Sequence, residues 1–157
     1  MTPAEYYEYE ADKIPTAKVN KATIKVVAGT TPDGTKGPIQ NLSSEPSYFD
    51  VEIPAAGELV LPIQKGHQAF IYPFIGDALL VSEKQEKLSQ NSIATFKSQK
   101  NDDEYIHVKN PNTESALRML FIAGKPFKEP IVKYGPFVMN SEAEIRQAVM
   151  DYQNGKL

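Results

Sequence analysis

Along most of this chain apolar and polar residues alternate, the period of a strand with one buried face. In Ser47–Ile53 (SYFDVEI), Phe49, Val51 and Ile53 alternate with Tyr48, Asp50 and Glu52. Residues 23–28 (TIKVVA) are mostly β-branched and predict another strand. Gly57 turns the chain, residues 59–61 (LVL) form a short strand, and residues 62–66 bend it again. Gln68–Ile75 (QAFIYPFI) is the most apolar run in the middle, with the length of a buried strand. Pro73 inside it predicts a bulge or an edge, because proline has no N–H for the ladder. Gly76-Asp77 signals a turn, and Ala78–Val81 returns. Residues 82–92 are polar and predict an exposed hairpin loop. Residues 93–96, 105–108 and 116–123 complete the strands, joined by polar connections at 97–104 and 110–115. Asn110-Pro111-Asn112 is a turn signal.

The end of the chain changes period. Residues 131–134 (IVKY) read as a strand, Gly135-Pro136 as a breaker, and Phe137–Met139 as a second extended run. Ser141 and Glu144 then make a capping-box pattern that opens a helix. Ile145, Ala148, Val149 and Tyr152 fall at i, i+3, i+4, i+7 on one apolar face. Gly155 stands where a left-handed C-cap residue belongs. Roughly eight short strands or more with turns between them predict an all-β fold, an antiparallel β-sandwich or jelly roll, with a C-terminal α-helix. The glycine-rich loop at 29–38 has no Gly-Lys-Ser/Thr and no helical period after it, so it is read as a turn-rich connection and not a phosphate loop.

The last thirty residues carry a family likeness. The run EPIVKYGPFVMN at 129–140, followed by an acidic helix ending DYQNGK at 151–156, resembles the C-terminal end of the pirin family. Gly124-Lys125-Pro126 precedes it. Upstream, Tyr48-Phe49-Asp50, Pro62-Ile63 and Lys65-Gly66 occur in that family's order and spacing. The likeness runs from Pro3 to Lys156. Pirins are two-domain cupins, and the chain is similar to their second domain only. The resemblance implies a cupin-like barrel over residues 16–157. It implies that the acidic, tyrosine-rich tail at 1–15 matches the connector between the two cupin domains. The expectation is a chain that begins where a full pirin changes domains.

Composition narrows the possibilities. The chain has 157 residues, enough for one domain with a real core. A net charge of −3 gives no basic footprint for direct nucleic-acid binding. No apolar run is long enough for a membrane span, and no basic-then-apolar start suggests a secretory signal. Zero cysteines remove disulfides, zinc–thiolate sites and thiol nucleophiles, and a cytoplasmic location is expected.

Candidate chemistry is sparse. The resemblance implies that a metal-bearing cupin strand carries a His-x-His pair, whose alternate residues point into the barrel. A neutral imidazole suits an iron-like ion. Counting along the family's pattern, that pair should fall at Pro62 and Gln64, and neither is a histidine. No cofactor is therefore expected in this chain. The resemblance places iron in the N-terminal domain that the chain lacks. His67, read as a turn or rim residue, and His107, read on the wetter face opposite Ile106 and Val108, remain as the two possible ligands of an improvised site. No Gly-x-Ser-x-Gly elbow occurs. Asp102-Asp103-Glu104 is read as a solvated loop. Phe70, Tyr72 and Phe121 are candidates to line a barrel cavity.

Tyr6, Tyr7 and Tyr9 in the tail, with Phe137 and Met139 near the end, are the candidate interface residues, since tyrosine can bury its ring and keep its hydroxyl wet. Three functions follow. One is a non-catalytic scaffold and interaction module, with a second copy of itself (possibly segment-exchanged) or a separate cupin domain as partner. Another is part of an iron-dependent enzyme, since the resemblance implies quercetin 2,3-dioxygenase-like activity for the full protein. The third is a small-ligand binder.

Overall fold

The alternation read from the sequence becomes two facing sheets. The computed structural model describes residues 6–82, 85–97 and 104–156. After a single 3-10 turn at Ala11–Lys13 come β1 (Thr16–Val19), β2 (Ala22–Ala28), β3 (Ser47–Ile53), β4 (Glu58–Ile63), β5 (Gln68–Ile75) and β6 (Ala78–Val81). Then follow β7 (Gln85–Leu88), β8 (Ala94–Lys97), β9 (Glu104–Lys109), β10 (Leu117–Gly124), β11 (Val132–Tyr134), β12 (Phe137–Met139) and the helix α1 (Glu142–Gln153). The chain divides into two compact units after Pro126.

In the first unit a six-stranded sheet has the order β1-β2-β3-β10-β5-β8, and a four-stranded sheet has the order β4-β9-β6-β7. All pairings between these strands are antiparallel. The last strand of the unit, β10, runs between β3 and β5, the insertion expected of a jelly roll. Period-2 alternation decides which residues meet inside. Ile24, Val51, Ile53, Ile71, Leu117 and Met119 come from the larger sheet, and Leu59, Leu61, Ile63 and Val108 from the smaller; each is essentially inaccessible to water. Phe49 and Phe121, cross-strand partners, stack at 5.4 Å between ring centroids. Burying each such side chain is worth about 1.5–3 kcal/mol.

Strands 47–53, 68–75 and 78–81 lie where the alternation put them. Pro73 marks an irregularity, as expected. Arg118 pairs with Ile75 and Met119 with Pro73, so Phe74 is an extra residue in β5. β8 pairs only as far as Ile71, so no ladder partner is denied an N–H by Pro73 on that side. The Arg118 guanidinium lies 5.0 Å from the Phe74 ring centroid and donates to Asp50 at 2.7 Å.

Three expectations need correction. β1 was not foreseen; Asn20 and Lys21, both at positive φ, form the two-residue turn of a β1–β2 hairpin. Pro62 does not bend the chain, because β4 continues through it to Ile63, paired with β9. The polar run at 82–92 is not only a loop: β7 within it pairs with β6, its charged residues facing water. Asp102 and Asp103 lie outside the described residues.

The second unit is a β11–β12 hairpin with α1 against it. Tyr134 and Phe137 pair across Gly135-Pro136, with Gly135 at φ 53. Ser141 caps α1 by accepting the Glu144 N–H at 3.3 Å. The Glu144 carboxylate reaches back to the Asn140 N–H at 3.1 Å, one residue beyond the usual capping box. At the other end, Gly155 at φ 67 completes a Schellman motif. Its N–H donates to Tyr152 at 3.1 Å and that of Lys156 to Asp151 at 2.9 Å.

Candidate functional site

A metal centre in a barrel needs donors on inward positions of its strands. The positions inferred from the sequence, Pro62 and Gln64, are not inward. Pro62 lies on the outer face of β4 opposite Tyr105, and Gln64 lies past the strand in the turn to β5. The reason is pleat parity: Leu59, Leu61 and Ile63 own the inner face. Opposite them, Ile106 and Val108 of β9 also point inward. These side chains carry no nitrogen or oxygen donor, so the interior does not fit a divalent ion. Among the described residues no three histidines, aspartates or glutamates gather in a way that could hold one.

The two histidines occupy different environments. His107 sits on the wetter face of β9, as alternation predicts, with Ile106 and Val108 buried on the other. Its Nε2 is 3.0 Å from the Glu58 carboxylate on β4, which also receives the Lys109 ammonium at 3.3 Å. The His107 hydrogen bond, and then that of Lys109, hold the Glu58 carboxyl below its ordinary value of 4.5. His67 lies in the turn before β5, as read, but it is buried there and not on an open rim (3 % exposed). Its backbone N–H closes the turn onto Gln64 at 3.0 Å. Its Nε2 lies 3.6 Å from Glu45, a residue of the long β2–β3 connection, and its Nδ1 has no hydrogen-bond partner among the described residues. The turn signal at Lys65-Gly66 was local, whereas the Glu45 segment that meets His67 comes from far upstream. His67 lies in the turn before β5 and His107 on β9, and among the described residues they share no acidic partner.

Of the proposed cavity residues, Phe70 and Tyr72 are on the outer face of β5, and Tyr72 donates to Asn91 at 3.2 Å. Only Phe121 points inward, where it is packed against Phe49. The interface candidates are more open. Tyr6 is 87 % exposed, and Tyr7 and Tyr9, also exposed, have rings 6.4 Å apart. Phe137 and Met139 are half-buried on one face of β12, with Phe137 edge-on to Tyr152 at 6.0 Å, and Val138 is exposed on the other.

Clefts lie outside the core. One of about 270 Å³ is polar, lined by Gln40, Asn41, Glu45 and Gln64. A second, of about 530 Å³, opens at the strand ends of β5, β8 and β10. In the C-terminal unit a groove of about 750 Å³ runs between β11 and α1. Sequence reasoning passed over Lys97 at the second cleft, which stands in no motif, and noted Lys125 only within Gly124-Lys125-Pro126.

Comparison with known proteins follows this geometry. The profile of the pirin C-terminal cupin domain matches residues 48–157. A Pseudomonas aeruginosa protein provisionally named as a quercetin 2,3-dioxygenase is 32% identical over 161 residues, covering 100% of this chain and 54% of its own length. Pirin-1 of Arabidopsis thaliana is 34% identical over 157 residues, covering 99% of this chain and 53% of its own. A crystal structure of quercetin 2,3-dioxygenase from Acinetobacter baumannii superposes with a TM-score of 0.81 at 28% identity, over 99% of this chain and 51% of that one. The chain thus spans about half the length of the relatives it matches.

Proposed function

The chain belongs to the pirin family, as a pirin C-terminal cupin domain, and we propose that its barrel is a non-catalytic scaffold and interaction module for a metal-bearing N-terminal cupin domain. The observation that carries this reading is the inner face of β4, where Leu59, Leu61 and Ile63 stand in place of ligands. An ion there would lose its water shell and gain no donor in return, a cost of many kcal/mol. This domain therefore holds no metal of its own and contributes shape and surface.

Two relatives carry the name quercetin 2,3-dioxygenase. On this reading, a whole protein of that kind would keep its metal chemistry in the other half. The exposed aromatic residues of the tail, the β11–β12 hairpin and α1 support the interaction role. Tyr6, Tyr7, Tyr134 and Tyr152 are all well exposed, and exposed apolar surface of this kind finds partners. A second copy of the chain is the partner most easily tested.

Two measurements separate the parts of this reading. The chain, reconstituted with ferrous iron and given quercetin in air, is expected to show no turnover beyond that of the same free iron. Saturable turnover lost in His67→Ala or His107→Ala would overturn the non-catalytic role. Light scattering across a wide concentration range is expected to show self-association. A strictly monomeric species would remove the second copy as a partner.

A further inference from the structure

The first unit has a cleft whose origin is legible in the register. Gln68 of β5 pairs with Lys97 of β8 on one side and Gly124 of β10 on the other. One step inward, Ala69 faces Phe96 and Ala123. Ala69 and Ala123 are themselves buried, and a cleft of about 530 Å³ opens beside them at the strand ends. That is the size of a small-molecule site. Phe70 and Ile122, cross-strand partners on the outer face, supply apolar wall.

The mouth is cationic. Lys97 ends β8 and Lys125 follows β10, so their stems flank β5 from the two neighbouring strands, roughly 10 Å apart at the ordinary strand spacing. Lys97 has no acidic partner among the described residues. The ammonium of Lys125 lies 3.9 Å from Glu45, with both side chains more than half exposed. Such a pair is worth little and yields readily to a better anion. The other oxygen of Glu45 is turned to His67 at 3.6 Å.

We propose that this cleft binds an aromatic carboxylate, with its ring against Phe70 and Ile122 and its carboxylate between the ammonium groups of Lys97 and Lys125. Among the described residues, two cations against one acid at the rim favour a single negative charge. The apolar wall of the Phe70 ring and Ile122 favours a flat aromatic body over a sugar or a polar acid. The site is separate from the metal question and stands or falls without it.

The test is titration of the isotope-labelled chain with 2-naphthoate, followed by backbone amide shifts, with neutral 2-naphthamide as the comparison. Saturable shifts are expected at Gln68, Phe96, Ile122 and Lys125, with a dissociation constant below about 1 mM. Lys97→Ala and Lys125→Ala should each weaken naphthoate about three-fold and leave the amide unchanged. Both lysines are exposed, so an unchanged spectrum of each free variant confirms its fold. Added salt should weaken naphthoate alone. Equal binding of acid and amide in all three proteins, shifts centred elsewhere, or no saturable response up to about 10 mM would overturn the proposal.

Discussion

Asn110 sits buried just past β9, where its side-chain amide donates to the carbonyls of Ile53 at 3.1 Å, Pro54 at 3.1 Å and Ser115 at 2.8 Å. Its own carbonyl accepts the Asn112 N–H at 3.0 Å. One side chain thus ties the end of β3 to the β9–β10 turn. Asn110→Ala would leave several buried carbonyls unpaired and should lower unfolding stability by about 2–3 kcal/mol, read in urea. Asn-Pro-Asn is legible in sequence as a turn, but its carbonyl partners near residue 53 are not, because no local pattern encodes them. The burial of His67 is not legible for the same reason, although its place in a turn is. Glu58 offers a pH signature. Its folded-state value is depressed, so it adds stability above its ordinary value of 4.5 and loses it as pH falls through the lower folded value. Its carboxyl carbon should titrate below 4.5, and His107→Ala should move that midpoint upward. An unmoved midpoint would contradict the hydrogen bond seen between them.

Elements declared themselves where one face is wet and the other dry. β3 and β5 were readable to the residue because Phe49, Val51 and Ile53, or Ala69 and Ile71, alternate with accessible neighbours. β7 was not, since three of its four residues are exposed and only Leu88 is buried. β1 is just as short and rests on a two-residue turn at Asn20-Lys21 that has no glycine to announce it. The helix was readable because its ends carry their own chemistry. Ser141→Ala should cost about 1 kcal/mol through the lost N-cap. Gly155→Ala should cost about 1 kcal/mol through strain alone, because no atom lies within 4 Å of an added Cβ while φ is positive. Amide exchange within α1 should quicken in both variants, while β2 and β3 stay protected. Equal effects on helix and barrel would contradict a local role for the caps.

At the scale of the molecule, the barrel is an apolar interior closed by two sheets, with His107 on the outer face of β9 and His67 buried in the turn before β5. The likeness to pirins was legible chiefly from residues 129–140, with the helix after them and scattered residues upstream in support. The inward positions were not, because counting along a motif fixes spacing but leaves pleat parity open. Shifting the count by one residue exchanges Pro62 and Gln64 for Leu61 and Ile63, and so moves the argument from weak ligands to no ligands. The same parity places Phe70 on the outer wall that lines the 530 Å³ cleft. The most direct test is the metal content of the chain after loading with ferrous iron and dialysis against buffer. The aliphatic interior predicts far less than one tightly held iron per chain, unchanged in His67→Ala. Iron near one per chain, lost in that variant, would contradict it.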